Sequence, residues 1–268
     1  MIFVVGARGR LGQMLVKQYP SEEVIAVERA VYENWSSDTS ENSITEYFSP
    51  YADQGSIVYI CSGLLDPRLE ADALHRVNFV LPKNIIQSVA SMGIRAMTFG
   101  TAMEATLTSN PYVQSKLLLG QFVEQAGDMA THVRIHTLYG TGTPSPFMFL
   151  GQVLTALQEN SEFKMTMGRQ LREYHHVSDD ACAIKHLAEN RISGIIELSH
   201  GKPVTLRALA EAVFQAFDKA DLLRLGAIPE PKEENFGDIF TPPSSLVGLP
   251  FRDTIPSVVK YMKTLVNA

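Results

Sequence analysis

The sequence predicts an α/β fold: a doubly wound parallel sheet followed by a small C-terminal subdomain. Three observations predict it. Short apolar, β-branched runs at residues 1–5, 24–27, 57–60 and 95–99 alternate with stretches of helical spacing. The first run leads directly into Gly6, Gly9 and Gly12, which open a helix pattern. A composition break, Gly-Thr-Gly-Thr-Pro-Ser-Pro at 140–146, then separates this alternation from a less regular second half.

Residues 1–5 read as a buried strand. Leu11, Met14 and Leu15 set a helical period over 11–18. The second strand, 24–27, ends at Glu28, and 57–60 and 95–99 are the third and fourth. Residues 71–91 read as one long helix bent at Pro82 and ended by Gly93. The next helix is 111–125, with Ser109 or Asn110 as N-cap, Pro111 in its first turn and Gly127 past its end. Strands are expected at 131–138 and 194–198. Residues 219–256, rich in Pro, Gly and charge, read as loop with short elements. The resulting division assigns 1–141 and 176–199 to the core and 142–175 and 200–268 to the second lobe.

Composition excludes several classes. The chain has 268 residues, 45% of them hydrophobic and 19% charged, with a net charge of −6, an ordinary globular balance. No basic cluster suggests a nucleic-acid surface, and no apolar run reaches the roughly 18 residues of a membrane span. Cys61 and Cys182 fit neither a zinc spacing nor a disulfide framework. A cytoplasmic location is the expectation, with a strand pattern beginning at Met1 where a signal peptide would otherwise lie.

The glycine loop carries the first chemical signal. Glycines after a first strand let backbone turn tightly and approach a pyrophosphate, which the N–H groups and dipole of the next helix favour. An ordinary strand-to-helix turn also uses glycine. Position after residue 5, with Glu28 ending the next strand, points to a dinucleotide. Gly6, Arg8, Gly9, Arg10, Leu11 and Gly12 are therefore cofactor-binding candidates. Glu28 suits the adenosine ribose hydroxyls and so NAD. Arg29, Arg8 and Arg10 suit a 2′-phosphate and so NADP. The expectation is NADP or NAD, tilted toward NADP because biosynthetic reductions usually draw on that pool.

Tyr112-Val113-Gln114-Ser115-Lys116 carries the second signal. Residues four apart share a helix face. An ammonium beside a phenol stabilises phenolate, so the pair is expected to lower the Tyr112 pKa and make it a proton-transfer group. Tyr-x-x-x-Lys is common by chance; its place after the fourth strand gives it weight.

Together these motifs resemble the extended short-chain dehydrogenase/reductases of the NAD-dependent epimerase/dehydratase family, a Rossmann-like fold. The resemblance extends to Thr101 at the fourth strand's end, to 134–140 (Arg-Ile-His-Thr-Leu-Tyr-Gly) and to 168–180, which begins Gly-Arg-Gln-Leu-Arg-Glu-Tyr. It implies a catalytic Thr101, Tyr112 and Lys116, with Lys116 also holding the nicotinamide ribose. It also implies a substrate site including Thr101 and Tyr139, an Arg172 that contacts a nucleotide diphosphate, and Asn78 as structural support. By analogy with relatives, the helix carrying Tyr112 would build a homodimer. His175 and His176 read as packing and surface residues, and no third ligand has a spacing that suggests a metal.

Departures narrow the expected reaction. The family's 4,6-dehydratases carry Asp-Glu after the threonine; here stand Ala102 and Met103, which cannot transfer protons. Glu104 comes one residue late and is expected to point elsewhere. The cysteine and histidine typical of GDP-fucose synthases have no counterpart. The segments around Thr101, 111–116 and 168–177 look most like CDP-paratose and CDP-abequose synthases. Hydride transfer to the 4-keto group of a nucleotide-activated deoxysugar is therefore the expected activity. The alternatives are a C4 epimerase retaining NAD and a non-catalytic dinucleotide-binding redox sensor, which the presence of both Tyr112 and Lys116 disfavours.

Overall fold

The computed structural model describes residues 1–66, 68–107 and 109–266, so the last two positions of the expected second lobe lie outside the described residues. The strands and helices are, in order, β1 (Ile2–Val5), α1 (Arg10–Val16), β2 (Val24–Val27), α2 (Arg29–Tyr32), α3 (Glu41–Phe48), β3 (Ile57–Ile60), α4 (Ala71–His75), α5 (Leu81–Ala90), β4 (Arg95–Thr101), α6 (Pro111–Gln125) and β5 (Ala130–Ile135). Then come β6 (Thr137–Tyr139), α7 (Phe149–Glu159), β7 (Phe163–Lys164), β8 (Leu171–Arg172), β9 (Tyr174–His176), α8 (Val177–Glu189), β10 (Gly194–Glu197), β11 (Val204–Thr205), α9 (Leu206–Gln215), β12 (Leu223–Arg224) and α10 (Thr254–Val266). Contacts divide the described chain into two units. The first is 1–135, 180–198 and 243–246; the second is 136–179, 199–242 and 247 onward.

The first unit is built on a six-stranded sheet in the order β10-β5-β4-β3-β1-β2, every pairing parallel. Parallel strands need crossovers on both faces, so their residues are apolar on both sides. β3 shows this directly, with all four residues buried. One face is filled by Phe3, Trp35, Phe48, Ile85, Ile86 and Val89, with Phe3 and Phe48 rings edge-on at 5.0 Å. Register places the functional ends together. Val5 pairs with both Val27 and Ile60, so Gly6, Glu28 and Cys61 emerge side by side at the carboxyl edge, where ligands of open α/β sheets collect.

Two elements differ from the sequence expectation. The long helix of 71–91 runs as α4 and α5, with Pro82 as the second residue of α5 and helical backbone at Val80 and Leu81 before it. Its irregularity is a π-helical turn at Arg76–Val80, joining α4 to α5. The expected strand 131–138 is two strands: β5 stays in the large sheet, whereas β6 pairs with β9. Both halves are equally rich in strand formers, so composition alone could not show the change of partner.

The second unit has three two-stranded sheets, β6–β9, β7–β12 and β8–β11. Its core packs α7, α9 and α10 through Val153, Leu157, Phe163, Phe214, Val258 and Met262.

Candidate active site

Gly6 follows β1 with φ +82, a conformation open to glycine without strain, and a Cβ there would overlap the backbone of Ser62. A Cβ on Gly12 would overlap the Gly6 carbonyl. Both glycines are thus required by close backbone approach. Gly9 N-caps α1 without a side-chain hydrogen bond, which leaves first-turn N–H groups for a ligand. Leu11 is turned into the core, so only its backbone can face a dinucleotide. The Ser62 hydroxyl beside this loop is buried and has no hydrogen-bond partner among the described residues. An orphan hydroxyl next to a glycine cradle fits an absent pyrophosphate-bearing ligand; sequence reading missed it.

At the next strand end, Glu28, Arg29 and Arg8 are exposed. Burial raises the Tyr32 phenol, while the Arg29 and Arg8 guanidiniums draw it back. Tyr32, a residue sequence reading did not single out, thus lies within electrostatic reach of both arginines. Both the carboxylate and the guanidiniums expected to read the adenosine ribose are at this edge.

α6 begins where the sequence places it. The Asn110 side chain accepts from Tyr112 N (2.9 Å) and Val113 N (3.4 Å), with Pro111 in the first turn. The helix packs on β4 and on the 3₁₀ turn (Ala102–Ala105) after that strand. Thr101 closes β4 and its hydroxyl accepts from Met103 N at 3.3 Å. Asn78, within the π-helical turn, accepts from Leu64 N (2.8 Å) and donates to Leu64 O (2.9 Å) and Ser115 Oγ (3.1 Å). The Ser115 hydroxyl in turn donates to Tyr112 O at 2.6 Å. Asn78 thus ties the loop after β3 to the first turn of α6, the supporting role expected of it.

Lys116 is 7% exposed, and its Nζ lies 3.5 Å from where a Gly63 Cβ would stand. Burial draws its ammonium down to about 8, against the pull of the Glu104 carboxylate and the Cys61 thiol. The Tyr112 phenol is pushed up, first by burial and then by Glu104. This corrects the expectation that Lys116 lowers the phenol. The lysine is itself desolvated, and a nearby carboxylate opposes its field. Tyr112 therefore keeps its proton at neutral pH.

Glu104 points into the protein, and its side chain is fully buried. It accepts from Thr101 N (2.9 Å), completing a capping box with the Thr101 hydroxyl, and from His132 Nε2 (3.1 Å) and Arg134 Nε (2.8 Å). His132 Nδ1 lies 2.8 Å from Thr98 Oγ1. Burial alone would lift the Glu104 carboxyl, but His132, Thr101 N–H and Arg134 together hold it below the usual range. Burial keeps His132 below its ordinary value too. The signal that could have found this cluster is a Glu, a His and an Arg inside apolar strand-end segments.

In the second unit, Arg172 is ion-paired with Glu234 and donates to Leu171 O at 2.8 Å. Tyr139 is 1% exposed and packs against His176 and Tyr261. That corrects its expected place in the substrate site: it is a core side chain. His175 is buried, stacked between His136 (5.2 Å) and His200 (4.5 Å). Glu173, His175 and His200 offer ligand atoms within 4.8 Å of one another, a grouping that sequence spacing concealed. The carboxylate already accepts from His175 Nε2 (3.0 Å), Ser199 Oγ (2.7 Å) and His200 N (2.9 Å), and His200 Nδ1 accepts from Lys202 N (3.1 Å). The group is a hydrogen-bonded polar core. No helix among the described residues is long and apolar enough to cross a membrane.

Solved structures share this fold at low identity. A dTDP-4-dehydrorhamnose reductase from Yersinia enterocolitica superposes with a TM-score of 0.77 at 16% identity, covering 98% of this chain and 99% of that one. DesIV, a dTDP-glucose 4,6-dehydratase from Streptomyces venezuelae with NAD bound, gives 0.77 at 15% identity, covering 98% and 95%. A dTDP-4-dehydrorhamnose reductase from Bacillus anthracis, in complex with NADP, gives 0.68 at 16%, covering 86% and 84%. A model of the NAD-dependent epimerase/dehydratase family matches residues 2–198, and with its glycine loop, parallel sheet and Tyr112–Lys116 helix the chain belongs to that family.

Proposed function

We propose that this chain is an NAD(P)-dependent reductase that converts the 4-keto group of a nucleotide-activated deoxysugar to an alcohol. The observation that carries the reading is the grouping on β4 and α6: Thr101 at the strand end, against a helix bearing Tyr112 and, one turn on, a buried Lys116. The reduced nicotinamide supplies the hydride. Thr101 donates a hydrogen bond to the substrate carbonyl, and Tyr112 gives that oxygen its proton. Lys116 holds the nicotinamide ribose, and the Gly6–Gly12 loop the pyrophosphate. A phenol that keeps its proton suits donation, the direction of reduction. Ala102 and Met103 offer no acid/base pair for eliminating water, which argues against dehydration. Relatives of the same fold act on dTDP-sugars, and Arg172 is the candidate ligand for the substrate diphosphate, exchanging Glu234 for phosphate oxygens.

The test is turnover of NADPH or NADH with 4-keto sugar nucleotides by the purified enzyme and by Tyr112→Phe. The variant is expected to bind dinucleotide normally and to lose at least about 100-fold in rate, the usual contribution of a positioned general acid. Near-normal turnover by Tyr112→Phe rejects the assignment. NAD that copurifies with the enzyme and survives each cycle, with no net consumption of added NADPH, would identify a C4 epimerase instead.

A further inference from the structure

We infer that Glu104 is a positioning residue of this site: a buried carboxylate that fixes the Thr101 turn and acts through space on the Lys116 ammonium and the Tyr112 phenol. The inference rests on the reading of Tyr112 and Lys116 as the reacting pair. Three features of the packing carry it. First, Glu104 binds the Thr101 N–H at 2.9 Å and, through the capping box, sets the turn that presents the Thr101 hydroxyl. Second, room has been made for it. A Cβ on Gly100 would overlap Glu104 Oε1 and His132 Nε2. A Cβ on Gly120 would stand 3.4 Å from Glu104 Oε2 and 3.3 Å from His132 Cδ2. Gly120 lies four residues beyond Lys116 and eight beyond Tyr112, on the same face of α6. The carboxylate therefore lies against α6 one turn beyond Lys116, on the side of the helix that bears the reacting pair. Third, it is kept ionised. Arg134 Nε at 2.8 Å and His132 Nε2 at 3.1 Å satisfy its oxygens in a site where an unpaired charge would be strongly disfavoured.

A buried charge in this place has a definite sign of action. It favours the ammonium form of Lys116 and disfavours the phenolate form of Tyr112. The enzyme then keeps both protons, one to hold the ribose and one to give away. A residue serving only to cap a turn would do the first job and not the second.

The experiment compares wild type, Glu104→Gln and Glu104→Asp, each labelled with ¹³Cε-lysine, with the Lys116 resonance identified by its loss in Lys116→Arg. Lys116 is expected to titrate about one pH unit lower in Glu104→Gln, a typical effect of deleting a nearby opposite charge. Glu104→Asp, which keeps the charge, is expected to restore most of the shift. The alkaline limb of the rate–pH profile should move down with it. A Lys116 titration unchanged in folded Glu104→Gln overturns the inference. A shifted titration with an unmoved rate limb supports it and overturns the catalytic reading of the pair instead. Should Glu104→Gln not fold, Glu104→Asp takes its place: with the carboxylate withdrawn by one methylene, the Lys116 titration is expected to fall by part of the shift expected of Glu104→Gln, and an unmoved value again overturns the inference.

Discussion

At the scale of single residues, opposite charges meet at the adenosine end of the candidate cofactor site. Glu28 is suited to ribose hydroxyls, and Arg8 and Arg29, both within electrostatic reach of Tyr32, to a phosphate. Removing the carboxylate removes a repulsion with a 2′-phosphate and spares the arginines. Glu28→Ala is therefore expected to raise the affinity for NADPH relative to NADH, measured by fluorescence titration of both; an unchanged ratio would mean that the carboxylate faces solvent in the complex. The site residues legible in the sequence are those set by local spacing: the glycines three apart, and Tyr112 and Lys116 one helical turn apart. The partners of Glu104 are not legible, because His132 is 28 positions away and a one-dimensional frame compares the carboxylate only with its neighbours. Tyr139 is misjudged for the converse reason: a motif position does not say which way a side chain turns.

At the scale of elements, punctuation chemistry is the most readable layer. Asn110, Pro111 and Gly127 bracket α6 as read, because caps and breakers act over a few residues. The π-helical turn at Arg76–Val80 leaves no such mark, since one surplus residue hardly alters an apolar period. Nor could composition show that β6 leaves the sheet of β5, a choice made by β9 far along the chain. The glycine loop is the element whose role is easiest to test. Gly9 has extended backbone, and a Cβ there would lie 3.3 Å from the Gly6 carbonyl, tight but not an overlap. Gly9→Val is thus expected to keep the fold while its branches obstruct a pyrophosphate. Calorimetry should find dinucleotide affinity lowered by at least tenfold, about 1.4 kcal/mol, with a native circular dichroism spectrum; undiminished affinity would remove the loop from the site.

At the scale of the whole molecule, acid stability has an identifiable contributor in the second unit. Burial would raise the Glu173 carboxyl, but His175, His136, Ser199 and the His200 N–H hold it at about 2, down from 4.5. A depressed carboxylate stabilises the fold above its unfolded value and loses that effect as pH falls toward the folded value. The window here is pH 4.5 down to about 2, and the shift corresponds to about 3 kcal/mol. Urea midpoints recorded across this range are expected to fall less steeply for Glu173→Gln than for wild type; parallel curves would show that the carboxylate titrates normally. None of this is legible in one dimension, because residues 136, 173, 175, 199 and 200 come from three stretches of chain that only folding joins.

The π-helical turn between α4 and α5 amounts to one amino acid more than a regular helix would hold. Deleting a residue between Arg76 and Asn78 would restore an uninterrupted α-helix with better hydrogen-bond geometry. It would leave α5 nearly in phase with α4, because a π-helical turn takes up its surplus residue as a local bulge, but it would remodel the turn from which Asn78 reaches Leu64 and Ser115. The irregularity is thus a local widening of the helix, held by the amide it presents. Any redesign that ranks variants of this segment by helical regularity would select against the support of the α6 turn that presents Tyr112.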